Sequence, residues 1–209
     1  MQTVKIEHLV TAGNQDPNGP PVHENNVWLI GDNTEVIVID PAHDANGVME
    51  VVGDRQVTAV LLTHGHWDHI RQAVDFARLA GGAEVFLSGA DRFLWQVEHG
   101  DTPFKPLQDQ ARFEVAGISL MAIATPGHTP GSTCFSAPEL NTLFSGDTLF
   151  EGGPGATAWD YSGFDTILDS ISNRLFPLGD ETTVNTGHGP STTIGAERPD
   201  FEAWRARGW

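Results

Sequence analysis

The chain is poor in cysteine, in tyrosine and in positive charge. It has 209 residues, with one cysteine and one tyrosine. The single cysteine, Cys134, excludes an intrachain disulfide. Lysine and arginine number 11 against 28 aspartates and glutamates, which gives a formal net charge of −17. A surface this negative repels nucleic-acid and lipid phosphates, so we expect no nucleic-acid or membrane partner.

The sequence also lacks an apolar run of the about 20 residues that a membrane-spanning helix needs. Its first ten residues, MQTVKIEHLV, have no basic segment followed by an apolar stretch, as a secretion signal would. These absences predict a cytoplasmic protein. No linker-like stretch interrupts the chain, so we expect a single domain over residues 1–209, and the oligomeric state stays open.

The hydrophobic pattern favours an α/β fold. Short apolar strands run directly into polar, glycine-rich loops, and a few amphipathic segments lie between them, which predicts mixed sheets rather than a regular βαβ alternation. Residues 68–80 have the periodicity of one helix, with Gly81 beyond its end. Residues 164–176 predict a second amphipathic helix, and residues 151–163 a glycine-rich loop.

The strongest chemical signal is the segment His64-Gly-His66-Trp-Asp68-His69, directly after the apolar stretch AVLLT. Imidazole and carboxylate groups bind zinc-type ions at about 2.0–2.2 Å. His64 and His66 can converge on one ion if the loop curls, and Asp68 and His69 then face a neighbouring point. This loop alone therefore supplies ligands for up to two metals.

Three later segments place a polar residue among glycines just after a strand. They are TPGHTPGS with His128, SGDT with Asp147 and TGHGP with His188. Glycine permits tight turns and lets the backbone approach an ion closely. Each segment alone is typical of an ordinary turn, but together with the first motif they predict one metal centre.

The motifs HGHWDH, PGHTPGS, SGDTLF and TGHGP together resemble the metallo-β-lactamase-fold hydrolase superfamily. The resemblance spans about residues 25–190 and implies a four-layer αβ/βα sandwich of two mixed sheets flanked by helices. It implies two divalent metal ions, most simply zinc, although iron or manganese would fit. The implied ligands are His64, His66 and His128 for the first metal, Asp68, His69 and His188 for the second, and Asp147 for both.

The resemblance also implies the chemistry. A hydroxide bridging two metals attacks a carbonyl carbon, since metal binding lowers the pKa of water towards neutrality. Asp68 would orient this nucleophile and take up its proton. Asp40, after the strand EVIVI, would form hydrogen bonds that support the segment from His64 to His69 without binding metal itself. Trp67 and Trp159 are candidates for the substrate pocket, whereas Trp28 and Trp95 are expected in the core.

Within the superfamily, SGDTLF is similar to the small hydroxyacylglutathione hydrolase (glyoxalase II)-like branch, which implies thioester hydrolysis and a small-molecule substrate. The insert at residues 151–157 resembles that of a branch found in mycothiol-using bacteria. The short tail after His188 lacks the basic helical domain with which fuller glyoxalase II members bind glutathione, so the resemblance implies a carrier other than glutathione, such as mycothiol. Many true β-lactamases lack an aspartate at the position that matches Asp147. The resemblance therefore implies that β-lactam hydrolysis is not the native reaction. The lactonases of this fold often have tyrosine where Phe150 stands, and the one tyrosine is Tyr161. A lactonase, or a persulfide dioxygenase with one iron on His64, His128 and Asp147, stays open as an alternative.

Overall fold

The computed structural model describes residues 3–16 and 18–208. Among them lie seven α-helices: α1 (Ala45–Val52), α2 (Trp67–Ile70), α3 (Ala73–Leu79), α4 (Arg92–His99), α5 (Phe164–Ser170), α6 (Ile194–Glu197) and α7 (Phe201–Arg207). The strands of the first half are β1 (Lys5–Gly13), β2 (His23–Gly31), β3 (Glu35–Ile39), β4 (Gln56–Leu61), β5 (Val85–Ser88) and β6 (Lys105–Leu107). Those of the second half are β7 (Arg112–Val115), β8 (Ile118–Ala124), β9 (Thr133–Ala137), β10 (Thr142–Gly146), β11 (Leu149–Phe150), β12 (Gly153–Pro154), β13 (Thr183–Thr186) and β14 (Thr192–Thr193).

The strands form two mixed six-stranded sheets, one from each half of the chain. The first has the order β1-β2-β3-β4-β5-β6, with β1 to β3 antiparallel and β3 to β6 parallel. The second has the order β14-β13-β10-β9-β8-β7, in which only β10 and β13 are parallel. Strands β11 and β12 form a small separate ribbon. The predicted α/β architecture of two mixed sheets with flanking helices is confirmed.

Three apolar clusters account for the layers of the sandwich. The central cluster lies between the two sheets and includes Trp28, Phe135 and Phe144. A second cluster packs α1, α3 and α4 on the outer face of the first sheet, and a third packs α5 and α7 on the second. Because each sheet buries both faces, its central strands are apolar almost throughout, as in strand β3.

Three local predictions need correction. The helix expected over residues 68–80 is interrupted between α2 and α3, where Arg71 donates hydrogen bonds to the Asn14 carbonyl and to Glu98. The loop expected over residues 151–163 contains β12. The helix expected over residues 164–176 changes after Ser170 into a π-helical turn, Ile171–Leu175.

Strand β6 was not predicted, because Pro106 lies within it; proline is tolerated there since β6 is an edge strand. Among the described residues, no helix is long and apolar enough to cross a membrane.

Candidate metal centre

The seven predicted ligands lie at one edge of the sandwich, where four strands of the two sheets end. The segment from His64 to His69 begins just after β4 and runs into α2. His128 follows β8, Asp147 directly follows β10, and His188 follows β13. The side chains therefore come together from both sheets, on loops whose ends are fixed by strands.

The first group consists of His64, His66 and His128. Nδ1 of His66 lies 3.1 Å from Nε2 of His64 and 2.9 Å from Nε2 of His128. His64 and His128 are buried. Three imidazole nitrogens that converge in this way can surround one metal ion, because each would then need to lie only about 2.0–2.1 Å from it.

The second group consists of Asp68, His69 and His188. Nε2 of His188 lies 3.2 Å from Nε2 of His69 and 3.3 Å from Oδ2 of Asp68. Asp147 lies between the groups, since its Oδ2 is 3.5 Å from Nε2 of His128 and 3.4 Å from Nε2 of His188. This placement lets one carboxylate reach an ion in either group.

The nitrogen that each histidine turns away from the centre has its own partner. Such outer hydrogen bonds fix the tautomer and orientation of a metal-binding imidazole. The partners are the Thr63 hydroxyl for His64, the Tyr161 hydroxyl for His66, the Asp40 carboxylate for His69, the Ala156 carbonyl for His128 and the Glu24 carbonyl for His188.

Asp40 lies beside the segment from His64 to His69 and contacts Thr63 and His69. Its carboxylate accepts hydrogen bonds from the Thr63 backbone N–H at 2.8 Å, the Thr63 hydroxyl at 2.6 Å and Nδ1 of His69 at 2.9 Å. Asp40 itself has a φ of +48°, in the left-handed region that aspartate tolerates better than most side chains. The turn after β3 thus places a buried carboxylate against Thr63, directly before the segment from His64 to His69.

Two further contacts with the motif loops were not predicted. Asp91, buried at the start of α4, accepts hydrogen bonds from Gly65 N, Gly131 N and the Thr129 hydroxyl, at 2.6–2.8 Å. It therefore joins the loop after β4 to the loop after β8. No motif marks Asp91 in the sequence, because the pairing depends on how the two sheets pack.

Asn25 supports the other side of the centre, again without a motif to reveal it. Its side-chain amide donates to Oδ2 of Asp68 at 3.1 Å, and its carbonyl oxygen lies 2.7 Å from Nε2 of His43. Burial lowers the pKa of His43 to about 4, so this imidazole is neutral and donates to Asn25. The pair fixes the orientation of Asp68 from strand β2.

The electrostatics differ between the two groups. Burial lowers the pKa of His66 to about 3 and that of His64 well below its usual value, so both are neutral, as metal ligands must be. Burial also opposes charge on His188, but Asp147 and Asp68 outweigh it and raise the pKa of His188 to about 10. Asp68 of the second group and Asp147 beside it thus attract positive charge, which protons or a metal ion can supply.

The donor set fits divalent metal ions. Oδ1 of Asp147 is buried and accepts no hydrogen bond from the described residues, although Nε2 of His69 lies 3.4 Å away. A buried carboxylate oxygen without a hydrogen bond is costly, and coordination to an ion would compensate for it. Together with five imidazoles of fixed orientation, this orphaned oxygen indicates a centre built for metal rather than a hydrogen-bonded polar core.

A pocket of about 550 Å³ opens over the centre. Ligand-type side chains of both groups line it, and so do Trp67 and Trp159, the two predicted pocket residues. Phe150 and Tyr161 add further aromatic surface. Arg71 is the one lysine or arginine among the described lining residues, and its guanidinium is already bound to Glu98 and stacked 4.5 Å from the Trp67 ring.

The sequence matches the model of the metallo-beta-lactamase superfamily over residues 20–188. Hydroxyacylglutathione hydrolase GloC of Haemophilus influenzae is 32% identical over 192 residues, which cover 84% of this chain and 90% of that protein. A crystal structure titled BLEG-1 B3 metallo-beta-lactamase is 27% identical, with a TM-score of 0.76 over 93% of this chain and 97% of that one. The structure of TTHA1623 in a di-iron-bound form is 25% identical, with a TM-score of 0.76 over 91% and 96%.

Proposed function

This chain belongs to the metallo-β-lactamase superfamily, and we propose that it is a dinuclear-metal hydrolase that cleaves a thioester of a low-molecular-weight thiol. The observation that carries the proposal is the convergence of seven ligand-type side chains in two adjacent groups, with Asp147 between them. The similarity to a hydroxyacylglutathione hydrolase supports thioesters as the substrate class.

We assign the ligands of each metal ion according to the two groups of side chains. The first ion would bind His64, His66 and His128, the second Asp68, His69 and His188, and Asp147 would bind both. Two divalent ions held there, most simply zinc, would lower the pKa of a shared water and stabilise negative charge on the attacked carbonyl group.

The chain's own contribution to the reaction centres on Asp68. The imidazoles of the second group and the Asn25 amide outweigh burial and hold the pKa of Asp68 well below its usual value, so its carboxylate is charged. Its carboxylate is oriented by Asn25 at 3.1 Å and lines the pocket, where it would hold the proton that the attacking water loses. A thiolate is a good leaving group, so cleavage of a thioester needs no strong acid opposite Asp68.

The residues that line the pocket indicate which carrier thiol the thioester contains. Glutathione carries two carboxylates, but Arg71 already pairs with Glu98 and contacts the Asn14 carbonyl. Aromatic rings provide much of the remaining surface. Such a wall favours a carrier without carboxylates, and an acyl-mycothiol has the required character, since the protein's charge of −17 does not repel it.

The test combines metal analysis with a substrate panel. Purified protein is analysed for metals per chain, then assayed with hydroxyacylglutathione, an acyl-mycothiol, a lactone, a β-lactam and a persulfide with oxygen. We expect two metals per chain and the highest kcat/KM for a thioester, with the mycothiol ester preferred over the glutathione ester. Asp147→Ala removes the carboxylate between the two groups, and we expect this variant to lose both metal and turnover.

Other outcomes separate the alternatives. One tightly bound iron together with oxygen consumption would identify a persulfide dioxygenase. A kcat/KM that is highest for the lactone would identify a lactonase, and one highest for the β-lactam would contradict the argument from Asp147. Each of these results would overturn the thioesterase proposal.

A further inference from the structure

The outer partner of His66 differs from those of the other four histidines of the centre. It is the Tyr161 hydroxyl, a phenol 95 positions away on the loop between β12 and α5. The partner of His128, the Ala156 carbonyl, belongs to the same loop. We call residues 156–161 the rim segment. Two of the three histidines of the first group are thus bound by this one segment.

The orientation of His66 fixes which of its nitrogens carries the proton. Its Nδ1 faces Nε2 of His64 and Nε2 of His128, at 3.1 and 2.9 Å. A metal ion between these nitrogens requires Nδ1 to be unprotonated, so the proton of the neutral ring is on Nε2. That N–H then donates to the Tyr161 oxygen at 2.9 Å.

The rim segment also packs on the same imidazoles. The Trp159 ring centroid lies 4.4 Å from that of His66 and 5.3 Å from that of His128. Trp159 and Tyr161 are almost parallel, with an interplanar angle of 7°. Phe93 packs edge-on against Tyr161 at 5.2 Å and holds the phenol ring from the side of α4.

We propose that Tyr161 is a positioning residue that holds His66 in the tautomer and orientation needed by a metal ion in the first group. Metal binding and ordering of the rim segment are thereby coupled, and the pocket wall forms together with the metal site. The coupling is reciprocal: an ion that fixes the Nε2 proton strengthens the bond to Tyr161, and that bond strengthens ion binding. The inference rests on the metal centre assigned under the proposed function.

The test measures zinc affinity in a parent whose second group is incomplete. His188→Ala removes a ligand of the second group, and zinc binding to this parent is measured by competition with a chromophoric chelator. Adding Tyr161→Phe deletes only the hydroxyl. We expect zinc affinity to fall by about 10- to 100-fold, the usual effect of removing an outer hydrogen-bond partner of a metal ligand.

Trp159→Phe in the same parent is the matched control. It keeps an aromatic ring over the imidazoles and leaves the hydrogen bond intact, so we expect zinc affinity within about 3-fold of the parent. A second measurement is amide hydrogen exchange in residues 156–161 of the otherwise unchanged chain. Zinc should slow exchange there, and Tyr161→Phe should reduce this protection while circular dichroism stays unchanged.

The outcomes distinguish the two proposals. If the unaltered chain binds no divalent metal, both the proposed function and this inference fail. If it binds metal but Tyr161→Phe retains the parent's affinity, the positioning role alone is refuted. Equal exchange in residues 156–161 with and without zinc would refute the coupling.

Discussion

At the scale of single residues, Asp68 could either cap helix α2 or belong to the metal centre, and its contacts decide between these roles. It is the second residue of α2, and a simple reading makes it a cap of that helix. The residue at the cap position is His66, and no side chain there accepts a capping hydrogen bond. Asp68 instead faces His188 and accepts from Asn25.

This placement makes Asp68→Asn a direct test of the proposed proton acceptor. Asparagine keeps the size and one oxygen but removes the charge and the basicity. We expect turnover of the best thioester to fall by about 10²–10⁴, the usual range for general acid–base assistance, with the far-UV spectrum unchanged. Metal content is measured on the same sample, and near-normal turnover with both metals retained would remove Asp68 from the mechanism.

Cys134 supports a prediction about pH. It is fully buried in β9, and burial raises the pKa of its thiol to about 11. Because thiolate is the reactive form, the native protein should not react with a disulfide reagent at pH 8, and one equivalent should react after unfolding. In the folded state both the raised pKa and the lack of access keep the thiol unreactive at pH 8. Rapid labelling of the native protein at pH 8 would contradict this assignment.

What the sequence reveals at this scale is limited to residues inside recognisable motifs. The seven ligand-type side chains stand out because several lie within one six-residue segment. Tyr161, Asn25 and Asp91 act across 95, 43 and 26 positions, on His66, Asp68 and Gly65 respectively. Such contacts depend on the packing of the two sheets, which no local pattern encodes.

At the scale of elements, hydrophobic periodicity predicts which segments form strands and helices better than how those segments end. The α2–α3 interruption is an example, because Arg71 is held there by Asn14 and Glu98, both distant in sequence. The π-helical turn after α5 leads into Phe176–Leu178, where Pro177 lacks the N–H that would continue a helix. Tertiary contacts and missing donors override the pattern in these places.

The loop after β8 offers a prediction at this scale. Gly127 precedes His128, has a φ of +143° and lies so close to α5 that an added Cβ would stand 2.4 Å from Cα of Ile167. We expect Gly127→Ala to lower the free energy of unfolding by about 2–4 kcal/mol, from overpacking and backbone strain together. The decrease is measured by urea denaturation.

Gly117→Ala is the matched control for this substitution. Gly117 also has a positive φ, +83°, but an added Cβ there would meet nothing within 4 Å. It should therefore lose only the backbone component, about 1–2 kcal/mol. Equal losses for the two variants would show that α5 yields to the extra methyl group and that the close approach at Gly127 contributes little.

At the scale of the whole molecule, the centre joins the two halves of the sandwich. The first sheet supplies four of the seven ligand-type side chains and the second supplies three. Their carboxylates add to an overall charge of −17, which opposes a compact state. A bound cation would reduce that repulsion where the sheets meet. Metal binding should therefore stabilise the folded state in addition to supporting catalysis.

Metal removal should therefore lower the melting temperature. An ion that binds only the folded state at about 1,000 times its Kd adds about 4.1 kcal/mol. For a chain of this length, 1 kcal/mol corresponds to about 2–4 °C, so we expect a chelator to lower Tm by about 8–16 °C. Scans with zinc and with chelator need the same ionic strength, because salt screens the net charge and changes stability by itself. Asp147→Ala, which lacks the carboxylate between the groups, should show a much smaller difference, and equal Tm values for the unaltered chain under both conditions would contradict a structural role for the metals.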